Sequence, residues 1–153
     1  LSSKRLNDFL TENNLTLLFF PHNQMQPFLG EFEGNERIKI ASTEEYDVQK
    51  ALKESAYLIT DYSSISFDFA YMKKPLAYYH FDYKDYSEKQ YHLGYFRYEN
   101  DGFGPVFEDG DALADYVYKM AENGFENVEP YASRQNKFFN LFENFFWIFF
   151  SLL

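Results

Sequence analysis

Short apolar runs alternate along this chain with segments whose apolar residues recur at helical spacing. Four such runs predict β-strands, at residues 15–20, 37–40, 57–60 and 76–79. Three segments predict helices: one from Thr43 or Asp47 to Ser55, one over about 64–74, and one over about 109–123 that stops at Gly124. Because strands and helices alternate, the pattern predicts an α/β fold in which crossover helices connect the strands of a parallel sheet.

Length and composition narrow the class of protein. A chain of 153 residues that is 46% apolar and 25% charged predicts a single folded globular domain. The absence of cysteine excludes a disulfide scaffold, a thiolate metal site and a cysteine nucleophile, and fits a reducing compartment. The sequence begins at Leu1 rather than at a methionine and has no signal-peptide pattern, so we expect it to be a piece of a longer protein.

The charge is strongly acidic and unevenly distributed. Lysine and arginine number 14 against 24 acidic residues, which gives a net charge of −10 and disfavours nucleic acid as a partner. Residues 101–129 hold eight acids and one lysine, whereas residues 1–100 hold fifteen acids and eleven bases. We therefore expect a phosphate-bearing ligand to bind the first two-thirds of the chain.

The junction between the third predicted strand and the next helix is the strongest candidate for a phosphate site. The chain has no glycine-rich dinucleotide or P-loop motif, but this junction reads TDYSSISFD at 60–68. Ser63 and Ser64 at a helix N-terminus either bind a diphosphate or simply cap the helix. Asp68 shares a helix face with Ser64 and could bind sugar or polyol hydroxyls, whereas Asp61 is interpreted as a cap. The opposite, buried face is predicted to consist of Ile65, Phe69 and Met72.

A histidine follows the first predicted strand. His22 lies at the edge of the predicted sheet where the 60–68 junction also lies, and it could act as a base or as a cation next to a leaving phosphate. A loop histidine without a role is the alternative. His80 and His92 rank below His22 as candidates.

One pattern could indicate a divalent metal. Asp109-Gly110-Asp111 has the DxD form, but both acids lie where a helix is predicted to begin, and capping explains them equally well. We therefore predict neither a metal site nor a cofactor.

Three segments together carry a resemblance to a known family: FFPHNQMQPFL around His22, LITDYSSISFDFAY at 58–71, and YHLGYFRYENDGFGPVF at 91–107. Over roughly residues 15–139 the chain resembles the carboxyl-terminal half of the CDP-glycerol glycerophosphotransferases, the bacterial synthases of teichoic acid and capsule polymers. That resemblance implies one half of a GT-B transferase, in which residues 1–139 form the Rossmann-like domain that binds the nucleotide donor.

The resemblance also implies roles for particular residues. His22 would be catalytic and contact the reacting phosphate, with Phe20 and Pro21 beside it in the substrate-binding segment; Ser63 and Ser64 would hold the diphosphate, and Asp68 would help to bind substrate. The implied partners are CDP-glycerol, a polyol-phosphate or glycolipid acceptor, and an amino-terminal domain that this sequence does not contain. The implied location is cytoplasmic, peripheral to the inner face of the plasma membrane.

By the same resemblance, we expect the chain alone to bind donor without transferring from it. Two alternatives stay open. One is a related GT-B transferase that uses CDP-ribitol or a nucleotide sugar in capsule synthesis, and the other is a non-catalytic remnant of a truncated gene.

The end of the chain departs from the family pattern. Residues 138–153 contain twelve apolar residues in sixteen, a stretch that is short for a membrane span and has an acid, Glu143, near its middle. Residues 140–153 are therefore either a helix packed against the domain or an out-of-frame tail, and we favour the tail.

Overall fold

A computed structural model describes residues 1–82 and 96–150, with side chains described as far as Asn140 in the last helix. The chain divides into two compact units, Leu1–Glu54 and Ser55–Leu153, each of which is described by itself.

The first unit builds a two-stranded parallel sheet. Strand β1 (Leu17–Phe19) pairs with β2 (Ile38–Ile40) in the register Leu17 to Ile38. The helices around them are α1 (Lys4–Glu12), a 3₁₀ helix (Asn23–Glu31) and α2 (Val48–Glu54). The core of this unit contains buried apolar residues from α1, from β2 and from the position just after β2: Phe9, Leu10, Ile38 and Ala41.

The second unit builds a three-stranded parallel sheet in the order β3-β4-β5, formed by Leu58–Thr60, Leu76–Tyr79 and Val106–Phe107. Its helices are α3 (Ile65–Tyr71), α4 (Tyr98–Asp101), α5 (Gly110–Glu122) and α6 (Tyr131–Phe150). Since the three strands are parallel, their carboxyl ends lie at one edge of the sheet.

The predicted Rossmann-like α/β fold is confirmed, with its strands divided between two sheets. All four predicted strands form within the predicted ranges. The carboxylate of Asp47 accepts a hydrogen bond from the Lys50 N–H at 3.0 Å, so Asp47 rather than Thr43 caps α2. Gly124 follows α5 at a φ of +71°, which is the left-handed conformation that ends helices.

The buried face of α3 differs from the predicted stripe. Phe69 is buried as predicted, but Ile65 and Met72 are only half-buried, and the other buried residues of this helix are Ser66 and Ala70. Ser66, Phe69 and Ala70 are spaced i, i+3 and i+4, so the helical period holds and the buried face is rotated slightly from the predicted stripe.

Aromatic rings fill the core of the second unit. The ring of Phe103 is fully buried and lies 5.3 Å from that of Phe67 and 5.2 Å from that of Phe138, both edge-on. Next to it, Gly104 passes so close to β4 that an added Cβ would collide with the Leu76 carbonyl. Much of the chain's aromatic content therefore serves packing in this unit.

The last helix, α6, was not predicted from residue 131, and one polar side chain anchors it. Gln135 is 0% exposed; its amide nitrogen donates to the Lys74 carbonyl at 3.0 Å, and its amide oxygen accepts from Asn127 at 2.7 Å. In the described part of the chain, no helix has the length and apolar character that a membrane crossing requires.

We predict that Gln135→Ala lowers the free energy of unfolding by roughly 2–4 kcal/mol, because it removes these bonds and leaves the carbonyls of Lys74 and Phe103 without the amide that donates to them. Denaturant titration monitored by circular dichroism would measure the loss. Asn136→Ala, at the exposed neighbouring position, is the control and should change stability by less than about 0.5 kcal/mol. Equal stability of both variants would contradict the assigned role of Gln135.

Candidate functional site

The carboxyl edge of the β3-β4-β5 sheet gathers polar segments from three strands. The turn 61–64 follows β3, His80 and Asp82 follow β4, and Asp109 follows β5. Open α/β sheets bind ligands at this edge, so it is the candidate site of the second unit.

The turn after β3 is held by its own side chains. The Asp61 carboxylate accepts a hydrogen bond from the Ser63 N–H at 3.1 Å, which supports the interpretation of Asp61 as a cap. The Ser63 hydroxyl accepts from the Ile65 N–H at 3.4 Å, and the buried Ser66 hydroxyl donates to the Ser63 carbonyl at 3.0 Å. Ser63 is thus part of the cap as well as a candidate ligand residue.

Ser64 is placed differently from Ser63. It is the N-cap residue of α3, with φ −62° and ψ −14°, and its hydroxyl makes no capping hydrogen bond. Ser64 and Asp68 are both exposed, one turn apart on the helix. Since α3 sums the dipoles of only seven residues, an anion here would depend on the serine hydroxyls and backbone N–H groups more than on the helix dipole.

Sequence reasoning did not identify the aromatic group behind this turn. The His80 imidazole is 1% exposed and stacks on the Tyr62 ring at a centroid distance of 4.2 Å and an interplanar angle of 22°. The Tyr98 ring meets the imidazole edge-on at 4.6 Å, and the Tyr62 hydroxyl donates to the Asp82 carboxylate at 3.2 Å. The sequence feature that could have pointed to this group is the position of His80 immediately after the apolar run that forms β4.

Burial lowers the pKa of His80 below its ordinary value of 6.5. A hydrogen bond to the backbone of Asp61 and the negative charges of Asp61, Glu99 and Asp82 oppose this shift without reversing it. The imidazole is therefore neutral at neutral pH.

In the first unit, Phe20, Pro21 and His22 follow β1 directly. Pro21 is buried, Phe20 is half-buried and His22 is exposed. His22 caps the 3₁₀ helix, because its Nδ1 accepts a hydrogen bond from the Gln24 N–H at 3.3 Å. This bond leaves the proton of the neutral ring on Nε2, which makes His22 a hydrogen-bond donor at its outer nitrogen.

A glutamine side chain fixes the segment that carries His22. The Gln26 amide nitrogen donates to the Pro21 carbonyl at 2.9 Å, and its amide oxygen accepts from the Thr43 N–H at 3.1 Å. This bridge joins the segment after β1 to the segment after β2, and it restrains the backbone next to His22.

The DxD pattern forms a helix start. The Asp109 carboxylate accepts a hydrogen bond from the Ala112 N–H at 2.8 Å as the N-cap of α5, and Asp111 lies in the first turn. Among the residues that the structure describes, no group of three or more histidines or acids is arranged to hold a metal ion. His92 lies outside the described residues.

Comparison with known proteins identifies the family of this chain. Residues 1–144 match the model of the family described as CDP-Glycerol:Poly(glycerophosphate) glycerophosphotransferase. The chain belongs to this family. The match extends into the apolar segment that begins at residue 140.

Individual relatives act in teichoic acid biosynthesis according to their names. The minor teichoic acid biosynthesis protein GgaB of Bacillus subtilis is 36% identical over 141 residues, which is 91% of this chain and 15% of GgaB. The teichoic acid glycerol-phosphate transferase of Staphylococcus aureus is 32% identical over 62% of this chain, and the ribitol-phosphate polymerase TarL of the same species is 28% identical over 88%. The chain spans 24% of the length of each of these two.

Stability should depend on the protonation of His80. The unfolded chain takes up a proton near pH 6.5, whereas the folded protein does so only at lower pH. The contribution of the neutral imidazole is therefore present above pH 6.5 and is lost as the pH falls through the lowered pKa.

We predict that the melting temperature of the wild type falls more between pH 7.5 and 5.5 than that of His80→Phe, which keeps a ring but does not titrate. Calorimetric scans of both proteins would measure the difference, since every other titrating group is common to both. Parallel decreases would contradict the prediction.

Proposed function

We propose that this chain is the donor-binding part of a glycerophosphotransferase, which transfers glycerol phosphate from CDP-glycerol to a growing teichoic acid or capsular polymer. The observation that carries the proposal is the family match over residues 1–144, joined to a serine-rich turn at the carboxyl edge of a parallel sheet. The relatives' roles in teichoic acid biosynthesis support the same reaction class.

The reaction is a phosphoryl transfer. An acceptor hydroxyl attacks the β-phosphorus that bears glycerol; the new bond joins the acceptor oxygen to phosphorus, and the bond to the bridging oxygen breaks and releases CMP. The acceptor proton leaves to a base or to water. Positioning and stabilisation of charge on the phosphoryl oxygens supply most of the catalysis in such reactions.

In this proposal the turn after β3 binds the donor diphosphate. The Ser64 hydroxyl, which the helix does not use, donates to a phosphate oxygen, and Ser63 contributes from the adjacent position. Asp68, exposed one turn further along α3, accepts hydrogen bonds from polyol hydroxyls, because a carboxylate would repel the phosphates themselves.

His22 serves in the proposal as a hydrogen-bond donor to the reacting phosphate. The bond from the Gln24 N–H to Nδ1 favours the tautomer that carries its proton on Nε2. The exposed nitrogen can therefore donate a hydrogen bond, but it has no free lone pair with which to accept a proton. This geometry favours stabilisation of phosphate charge over general-base catalysis. Phe20 and Pro21 fix the position of His22 at the end of β1 and complete the substrate-binding segment.

A second donor, CDP-ribitol, has specific support. TarL, named as a ribitol-phosphate polymerase, matches 88% of this chain. CDP-glycerol and CDP-ribitol share the diphosphate and the nucleoside, so Ser63 and Ser64 could bind either donor. Titration of the chain with both donors would distinguish them, and tighter binding of CDP-ribitol would reassign the substrate.

The remaining parts of the proposal concern the whole protein. The acceptor is a polyol-phosphate polymer or glycolipid, bound with the help of an amino-terminal domain, and the enzyme acts on the cytoplasmic side of the plasma membrane as a peripheral protein. We expect this chain by itself to bind donor without releasing CMP, because the proposal assigns the acceptor contacts to the amino-terminal domain. Turnover by purified 1–153 with acceptor present would contradict this part.

We predict that Ser64→Ala weakens binding of CDP-glycerol by about 1.5–3 kcal/mol, roughly ten- to a hundredfold, because a charge-assisted hydrogen bond is lost. Ser63→Ala should also lower stability, since its hydroxyl caps the Ile65 N–H. Isothermal titration calorimetry would measure both affinities.

Ser133→Ala is the control for these two variants, since this exposed hydroxyl lies on α6. It should bind donor as the wild type does. If Ser64→Ala and Ser133→Ala bind equally well, Ser64 is a cap residue without a role in binding.

We predict that His22→Ala, in a full-length enzyme containing this chain, lowers the rate of the chemical step by about 10²–10⁴-fold. His22→Gln should recover part of the loss, because the glutamine amide nitrogen can replace Nε2 as a donor. Single-turnover release of CMP would measure the rates. Gln24→Ala, which keeps the backbone N–H that bonds to Nδ1, is the matched control.

Equal losses in His22→Gln and His22→Ala would indicate a base instead of a donor. A near-normal rate in His22→Ala would show that His22 has no catalytic role.

A further inference from the structure

We propose that His80 is a positioning residue, which holds the turn 61–64 in the conformation that presents Ser63 and Ser64 to the donor. This inference rests on the proposed function, because it assigns a purpose to the group behind the proposed diphosphate site.

The side chain of His80 presents almost no surface to a ligand in this structure. Its side chain is 1% exposed, and its backbone N–H donates to the Phe107 carbonyl at 2.7 Å, so the residue is held directly after β4 against the end of β5. A side chain held in this way can fix the position of the residues that contact it.

Two contacts join the imidazole to the turn. The ring donates a hydrogen bond to the backbone of Asp61 and stacks on Tyr62 at 4.2 Å, and these are the two residues that precede Ser63. Tyr62 is held in turn by the bond from its hydroxyl to the Asp82 carboxylate at 3.2 Å. The first half of the turn is therefore fixed to β4 at both of its residues.

The other side of the imidazole is closed by aromatic rings. Tyr98 meets it edge-on at 4.6 Å, and Tyr78 lies at 5.9 Å. Among the described residues, the charged groups that act on it are the carboxylates of Asp61, Glu99 and Asp82. Phenylalanine could reproduce the stacking but not the hydrogen bond, and asparagine could reproduce the hydrogen bond but not the stacking. Histidine supplies both.

The test uses the full 153-residue chain in three variants and a control. His80→Phe and His80→Asn each remove one contact, and Tyr62→Leu removes the stacking from the opposite side. Gln135→Ala is the control, since it lowers global stability in the same unit without touching the turn. Two quantities are measured for each: amide hydrogen exchange across 61–64 in the ligand-free protein, and affinity for CDP-glycerol by calorimetry.

We expect each variant at the turn to raise amide exchange across 61–64 by about tenfold and to weaken CDP-glycerol binding by a similar factor, while Gln135→Ala changes neither well below its melting temperature. Unchanged exchange in the folded His80 and Tyr62 variants would overturn the inference. Raised exchange with unchanged affinity would overturn it as well, since the order that His80 gives the turn would then not be needed to bind the donor.

If the wild type does not bind CDP-glycerol, the proposed function fails. The exchange measurement would still show whether His80 orders the turn, so the two failures are distinguishable. If His80→Phe does not fold, Tyr62→Leu tests the same contact from the other side.

Discussion

Parallel pairing of β3, β4 and β5 is the constraint on which the candidate site depends. Parallel strands end at a common edge, so the segments that follow Thr60, Tyr79 and Phe107 emerge together although they are far apart in sequence. This common edge brings the turn 61–64 and His80 close together. The buried side chains of Tyr78 and Phe103 stabilise this pairing, and Gln135 attaches the last helix to the same core.

The sequence predicted the strands and caps of this arrangement because their signals are local. An apolar run at 57–60 and the capping residues Asp47 and Asp109 act within a few residues of themselves, and each formed the predicted element. The attachment of α6 to its unit has no such signal, since Gln135 bonds to the carbonyls of Lys74 and Phe103, more than thirty positions away. Hydrogen bonds between residues far apart in sequence leave no pattern in the spacing of apolar and polar residues.

The same difference separates the two histidines. His22 could be proposed from sequence because it follows a strand and stands in a recognisable motif, whereas the surroundings of His80 come from three separate segments. Only the structure brings Tyr62 and Tyr98 against one imidazole. The sequence also could not predict which nitrogen of His22 carries the proton, because a backbone group, the Gln24 N–H, determines it.

Negative charge at the carboxyl edge limits what can bind there. The carboxylates of Asp61 and Asp109 accept backbone hydrogen bonds from Ser63 and Ala112, which ties them to their own turns. Asp68 is exposed and would repel a phosphate placed directly against it. In the proposed function, a diphosphate therefore approaches at Ser63 and Ser64, with its neutral polyol toward Asp68, and the acids of this edge influence the orientation of the donor as the serines influence its affinity.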